Sequence, residues 1–207
     1  PLATLEAYVD GLEDSVLPVE PSTFATMRDQ VGRLRRLSGD LREVALAEEH
    51  ALGIHLQPEN AADIVRAAVA AEVPRYEQAG LRLDLNVPDA AVPVSADAVR
   101  LQQVLANLLD NARRYARSGV EVTLSVAGER AVITVDDDGP GVPPDQLEAV
   151  FHRFHRADPS RRNEDGSGSG LGLTIARAIM EEHSGALTAQ PGPRGARLSA
   201  SLPLSTS

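Results

Sequence analysis

The most constraining feature of the chain is a pair of apolar stripes at its start. Leu2, Leu5, Val9, Leu12 and Val16 recur at steps of three and four, which places them on one face of a helix. Leu17-Pro18-Val19-Glu20-Pro21 breaks the pattern, and Ser22 or Thr23 is placed to cap a second helix. There Phe24, Met27, Val31, Leu34, Leu41 and Ala45 follow heptad-like spacing, Leu37 and Val44 widen the stripe, and Arg and Asp/Glu fill the opposite face. Two such helices joined by a short turn form an antiparallel hairpin that cannot cover its own stripe. Either a second copy completes a four-helix bundle, or the hairpin lies on a globular part of its own chain. The homodimer is the expectation.

The pattern changes between Gly53 and Pro58. Asn60 to Gln78 has helical spacing, with Ile64, Val65, Ala68 and Val69 inward, and Leu81 to Leu85 alternates as a strand. A strong helix is predicted from about Asp97 to Ala116, then strands over Val120 to Val126 and Ala131 to Val135 around the turn Ala127-Gly128-Glu129-Arg130. Asp136 to Gly170 is rich in Gly, Pro, Asp, Ser and Arg; a helix from Leu171 to His183 and strands near Ala186 to Gln190 and Ala196 to Leu202 close the chain. Strands and helices are interspersed without regular βα alternation, so the predicted class is α/β: a two-helix hairpin (1–54) followed by an α/β sandwich (55–207). With 43% hydrophobic but only 3% aromatic residues, its core is built of Leu, Val, Ile and Ala.

Composition excludes several classes. There is no cysteine for disulfides or thiolate metal sites. A net charge of -10 opposes general nucleic-acid binding. All 20 positive residues are Arg, so neither a P-loop nor a eukaryotic-type kinase, both of which need a lysine, is possible. No apolar run approaches the length of a membrane helix.

Three segments carry candidate chemistry. On the helix from Asp97, the residues Leu101, Val104, Leu105, Leu108 and Ala112 mark the buried face, and Asn107, Asn111, Arg114 and Tyr115 form a polar stripe beside it. Paired amide oxygens and a fixed positive charge suit a hard cation and phosphates; equally, they suit the polar edge of a half-buried helix. In Val135-Asp136-Asp137-Asp138-Gly139-Pro140-Gly141-Val142 a strand ends in acids, and Gly139 and Gly141 let the backbone approach a flat ligand. Asp137 is placed to accept from an exocyclic amine such as that of adenine, although an acidic surface turn has the same composition. Gly166-Ser167-Gly168-Ser169-Gly170-Leu171-Gly172-Leu173 offers bare amides at a helix start, a phosphate cradle or else a flexible linker.

Taken in order, these segments resemble the N, G1, F and G2 boxes of histidine kinases, within the ATPase superfamily that includes gyrase-type and Hsp90-type proteins. Asp97-x-x-Arg100-Leu101-x-Gln103-Val104-Leu105-x-Asn107-Leu108-Leu109-x-Asn111-Ala112 is similar to the N box and Asp137-x-Gly139-x-Gly141 to G1. Phe151-x-Arg153-Phe154-x-Arg156-Ala157-Asp158 is similar to the F box, and Gly168-x-Gly170-Leu171-Gly172-Leu173 to G2. The resemblance implies ATP and Mg2+ as cofactors, Asn111 as magnesium ligand, Asp137 as reader of the adenine amine, and residues Phe154 to Ser169 as a lid over the phosphates. Nucleotide contacts are expected at Asn107, Asn111, Arg114, Tyr115, Asp137, Gly139, Gly141, Phe154, Arg156, Gly168, Gly170, Leu171, Gly172 and Leu173. Superfamily members that hydrolyse ATP with water carry a glutamate base at the position of Asn107, so the fitting chemistry here is phosphoryl transfer to another nucleophile. Arg114 stands in place of the more usual lysine, and Ser167 in place of a common glycine.

Pro1-Leu2-Ala3-Thr4-Leu5 is similar to the tail of the H box, which puts the phosphate-accepting histidine just upstream of Pro1. The five histidines present, His50, His55, His152, His155 and His183, lack an H-box neighbourhood and are expected to be structural or solvent-facing. The resemblance implies a sensor kinase of a two-component system that passes phosphate from histidine to a response regulator. This chain would be a cytoplasmic portion of it, attached to the membrane only through upstream segments, able to bind ATP without phosphorylating itself. A serine-directed kinase of the anti-sigma type and a nucleotide-binding module without catalysis are the alternatives.

Overall fold

A computed structural model describes residues 2–48, 52–155 and 170–205. Two helices, α1 (Leu2–Glu13) and α2 (Pro21–Glu48), form the antiparallel hairpin. The second begins earlier than its expected cap: Pro21 occupies the first turn, where a missing N–H costs nothing. Thr23 therefore lies inside the helix and its hydroxyl donates to Pro18 O (2.9 Å). No residue of α1 is buried. On α2, Phe24 (44% exposed), Val31 (41%) and Leu41 (45%) remain open.

Leu37 and Val44 do not widen that open stripe. Val44 is 5% exposed, and Leu37 packs against the core of the α/β part. Thus α2 carries two apolar faces, one free and one docked on its own chain. The residue spacing alone cannot separate them, because they adjoin on the helix circumference.

The remainder comprises β1 (Gln57–Asn60), α3 (Ala61–Gln78), β2 (Arg82–Asn86), β3 (Pro93–Ala96), α4 (Ala98–Tyr115), β4 (Gly119–Ala127) and β5 (Arg130–Asp137). Two single 3-10 turns (Pro144–Gln146, Ala149–Phe151), α5 (Gly172–Glu182), β6 (Ala186–Pro191) and β7 (Ala196–Pro203) follow. Five strands form one sheet in the order β2-β4-β5-β7-β6, with β2 parallel to β4 and the rest antiparallel; β1 and β3 pair separately. Alternation sets the layering. Val120, Val122 and Leu124 of β4, Ala131, Ile133 and Val135 of β5, and Leu198, Ala200 and Leu202 of β7 are buried on one face. That face meets the buried residues of α3, α4 and α5.

The helix α4 is held at its start by a side chain and a neighbour. Asp97 accepts from the amides of Val99 and Arg100 (3.1 Å each) as an N-cap and from His55 N (3.1 Å). Burial opposes ionisation of this carboxyl, but those amides outweigh it and hold Asp97 below the usual range. Buried His183, which ends α5, accepts the Asp97 N–H at Nε2 (2.9 Å) while Nδ1 lies 2.7 Å from Ile179 O, so Nδ1 carries the proton. Midway along α4, the buried Tyr76 hydroxyl donates to Leu109 O (2.7 Å), fixing α3 on α4.

Candidate functional site

Strand parity builds the site. Ala131, Ile133 and Val135 point into the helix layer, and the next residue of that parity is Asp137, so a carboxylate takes the place of a core side chain at the end of β5. Asp137 is 4% exposed. Its Oδ1 accepts from Gly139 N (2.8 Å) and Ala196 N (3.2 Å); among the described residues nothing donates to Oδ2, which leaves that oxygen for a ligand. Burial pushes the carboxyl above its usual range, more than the two amides lower it, and Asp138 and Asp136 add to the rise.

The neighbouring aspartates do other work. Asp136 faces the other side of β5 and forms a two-pronged pair with Arg197 on β7 (2.7 and 2.9 Å). Asp138 accepts from Arg117 N (2.7 Å), Ser118 N (3.1 Å), Gly119 N (3.3 Å) and the Ser118 hydroxyl. The Ser118 hydroxyl first, and then the amides, hold Asp138 far below the usual carboxylate range despite some burial. This staple fixes the exit of α4 and the entry of β4.

A cleft opens beside Asp137. Asn111 and Tyr115 of α4 line it, with Gly141 and Val142 after β5, Val150 and His155 around the second 3-10 turn, Leu173 of α5, and Ala196 and Leu198 of β7. Its walls are largely apolar, and the carboxylate, the amide and the phenol supply the directional groups. Two close approaches shape it. A Cβ on Gly139 would collide with the carbonyl of Tyr115 and lie 2.8 Å from Asp137 Oδ1. Gly141 adopts φ +77° beside Gly195 O.

The structure therefore brings Asn111, Tyr115, Asp137, Gly141 and Leu173 together on one cleft, with Gly139 bonded to Asp137. Asn107 lies one turn before Asn111, its Oδ1 3.3 Å from where a Gly172 Cβ would stand, so a side chain at 172 would make Asn107 give by a few tenths of an ångström. Leu171 is fully buried and serves the core. Phe154 is exposed, with φ +59°; its N–H donates to Gly170 O (3.0 Å), which ties the two ends of the intervening segment together. Arg114 does not line the cleft: Asp110, one turn earlier, holds both its guanidinium and that of Arg113. Arg156 and Gly168, like most of the expected lid and His50, lie outside the described residues.

Sequence reasoning missed Val142, Val150, Ala196 and Leu198 as walls, and Gly195 as a support. His155, expected to be structural or solvent-facing, lines the cleft. Of these, Val142, next to Gly141, and His155, next to Phe154 in the F-box pattern, lay inside segments that carried a sequence signal.

Comparison with known proteins identifies the family of the domain that carries this cleft. Residues 96–206 match the family model described as histidine kinase-, DNA gyrase B-, and HSP90-like ATPase, and the chain belongs to that family. It is 36% identical over 208 residues to the signal transduction histidine-protein kinase BaeS of Escherichia coli K12, covering 99% of this chain and 44% of that protein. It is 34% identical over 206 residues to the sensor histidine kinase TrcS of Mycobacterium tuberculosis, covering 93% of this chain and 39% of that one. The chain thus spans less than half the length of these curated relatives. Among solved structures, the histidine kinase AdeS of Acinetobacter baumannii shares the fold over 100% of this chain and 96% of its own (TM-score 0.83, 24% identity). Full-length ShkA in complex with AMPPNP aligns over 92% of this chain and 40% of its own (TM-score 0.79, 27% identity). The α/β part is a histidine-kinase-type ATPase domain, of the kind that sensor kinases carry. No helix among the described residues is long and apolar enough to cross a membrane.

Proposed function

We propose that this chain is the dimerising hairpin (1–54) and ATP-binding domain (55–207) of a two-component sensor histidine kinase. It binds ATP with Mg2+ and delivers the γ-phosphate to a histidine outside this chain, for relay to a response-regulator aspartate. The observation that carries the reading is the buried Asp137, whose Oδ1 is occupied by two amides and whose other oxygen is left to a ligand in a cleft shared with Asn111. An exocyclic amine donates to that oxygen, and a carbonyl at the same place, as in guanine, is repelled. The relative ShkA was solved with the ATP analogue AMPPNP, and ThkA in complex with the response regulator TrrA. Each finding is about that protein and agrees with the role proposed here.

The residues divide the work as follows. Gly139 and Gly141 admit the flat base, Tyr115 flanks it, and Asn111 offers an amide oxygen to magnesium. Magnesium keeps several of its waters and takes phosphate oxygens, so one amide oxygen is a sufficient contribution from the protein. Bound magnesium supplies charge neutralisation at the phosphates. Asn107 cannot accept a proton, so water is not activated there. The bond from Pγ to the bridging oxygen breaks, a bond to an imidazole nitrogen forms, and ADP leaves. Arg156, Gly168, Gly170 and Gly172 are assigned to the phosphate side and its lid. The open face of Phe24, Val31 and Leu41 is assigned to a second copy, and any membrane attachment to segments outside this chain.

The test compares this chain with one extended upstream, each given ATP labelled on its γ-phosphate. Acid-labile, base-stable label on the extended form alone is expected. Label on the short form, or label that survives acid as a phosphoserine does, overturns the assignment.

A further inference from the structure

We propose that Arg197 is a positioning residue for nucleotide binding: by neutralising Asp136 on the outer face of β5, it leaves the neighbouring Asp137 charged and ready for the adenine amine. The inference rests on the ATP-binding reading above and deepens it, since it concerns the same carboxylate. Strand β7 serves the two aspartates in succession. Ala196 N–H donates to Asp137 Oδ1 (3.2 Å) on the cleft side. The next residue, Arg197, donates to both oxygens of Asp136 on the other side (2.7 and 2.9 Å). The register produces this arrangement, because Asp136 stands opposite Arg197 and successive side chains of a strand alternate between faces.

The acids around this point make a cation there consequential. Asp136, Asp137 and Asp138 are consecutive, and Asp136 is 6% exposed. On β4, Glu121 stands opposite Asp136, so two like charges adjoin on the outer face. Arg197, Ser199 and Ser201 all point outward from β7, and only the residue opposite Asp136 is charged. Arg194, in the preceding turn, comes no nearer than 3.7 Å to Glu121, so the close pair is the one at Asp136. Its hydrogen bonds outweigh burial and hold the Arg197 guanidinium above its ordinary value, so it stays charged wherever Asp137 titrates. Burial pushes Asp137 up, and the charges of Asp138 and Asp136 add to the rise. Asp138 has its own donors in Ser118 and three amides; Asp136 has Arg197. Without that guanidinium, an uncompensated carboxylate would sit one residue from the group that reads the base. The other titratable groups near Asp137 are Tyr115 and His155 on the cleft and Tyr76 of α3, and none of them carries a fixed positive charge.

The test follows ATP affinity against pH, by titration calorimetry, in the parent, Arg197→Gln, Asp136→Asn and the two combined. Affinity falls in acid as Asp137 takes up a proton. In Arg197→Gln that fall should begin at higher pH than in the parent, by roughly half a unit or more. In Asp136→Asn it should move to lower pH, and in the combined protein it should return close to the parental position. Arg197→Lys, which keeps the charge, should retain the parental profile. A role confined to sheet stability predicts something else, since both single substitutions break the same ion pair and should then act alike. Shifts in the same direction, or unshifted profiles, overturn the proposal. If Arg197→Gln does not fold, the direction of the shift in Asp136→Asn decides alone. A parent that binds no ATP at any pH defeats the ATP-binding reading instead.

Discussion

Gly195 lies directly against Asp137: a Cβ on Gly195 would stand 2.6 Å from both the carbonyl oxygen and Oδ1 of Asp137, and 2.6 Å from Gly139 N. The turn between β6 and β7 thus presses on the carboxylate from outside the cleft, while Ala196 N–H bonds it. Gly195→Ala must displace either the turn or Asp137. Overpacking of this kind costs about 1–3 kcal/mol, which, felt at the carboxylate, corresponds to a roughly ten- to hundredfold weaker Kd for ATP. Gly39→Ala on α2, where nothing lies within 4 Å of the added carbon, should leave Kd unchanged. Titration calorimetry of both variants checks the contrast, and equal affinities would remove Gly195 from the site.

Asp137→Asn should separate stability from binding. Asn keeps an oxygen for the Gly139 and Ala196 amides but loses the charge that accepts the adenine amine. Losing a charged hydrogen bond weakens ATP binding by about 2 kcal/mol or more. The empty protein should be no less stable at neutral pH, since burial disfavours the charge that Asn lacks. The sign follows from the raised pKa. The native state holds this proton to higher pH than the unfolded chain does, so on this account the empty protein loses stability as pH rises from the ordinary carboxylate range through the raised value. ATP affinity runs the other way and falls as pH drops through that value. Thermal unfolding and Kd, each measured against pH for parent and variant, test both slopes; an Asp137→Asn protein with parental Kd overturns the adenine assignment.

The part of the fold that was legible in sequence is the part set by local period. The helix α4 announced itself through Leu101, Val104, Leu105, Leu108 and Ala112, and its polar stripe placed Asn111 and Tyr115 on the cleft. β4 and β5 alternate, so the parity of Asp137 could be counted from Ile133. What stayed hidden depends on contacts distant in sequence. β1 (Gln57–Asn60) has no apolar alternation and β3 (Pro93–Ala96) only the short Val94/Ala96 pair; at four residues each they are defined by pairing with one another. Gly195 carries only a turn signal, and nothing in Gly192-Pro193-Arg194-Gly195 indicates that it meets Asp137. Arg114 offers a charge in sequence, but Asp110 at the preceding turn competes for it.

Asp138 should matter for the frame and little for the ligand. Its carboxylate gathers three successive amides and a hydroxyl at the exit of α4, so Asp138→Ala leaves those donors to water and costs about 1 kcal/mol. Because its pKa is depressed in the folded state, its stabilisation is complete above the ordinary aspartate range and is lost as pH falls through the depressed value. Acid unfolding of the parent should therefore continue to steepen below about pH 4, and the variant should lack that component. Its ATP affinity at pH 7 should stay within a few-fold. A variant with the parental acid-unfolding profile would show that the staple is not formed in solution.

Asn111 is the amide oxygen on the cleft wall, and its removal should uncouple metal from nucleotide. Magnesium bound by one protein oxygen, waters and phosphates gains from the protein only what that oxygen adds, and Asn111→Ala deletes it while sparing Tyr115 and Asp137. The parent should bind ATP more tightly with Mg2+ than with a chelator, and the variant should bind with one affinity under both conditions. Adenosine, which has no phosphates to share a metal, should bind parent and variant alike, which separates loss of the metal contact from collapse of the cleft. If the variant retains the full Mg2+ effect, the metal is held elsewhere, and Asn107, one turn back and in contact range of Gly172, is the next residue to substitute.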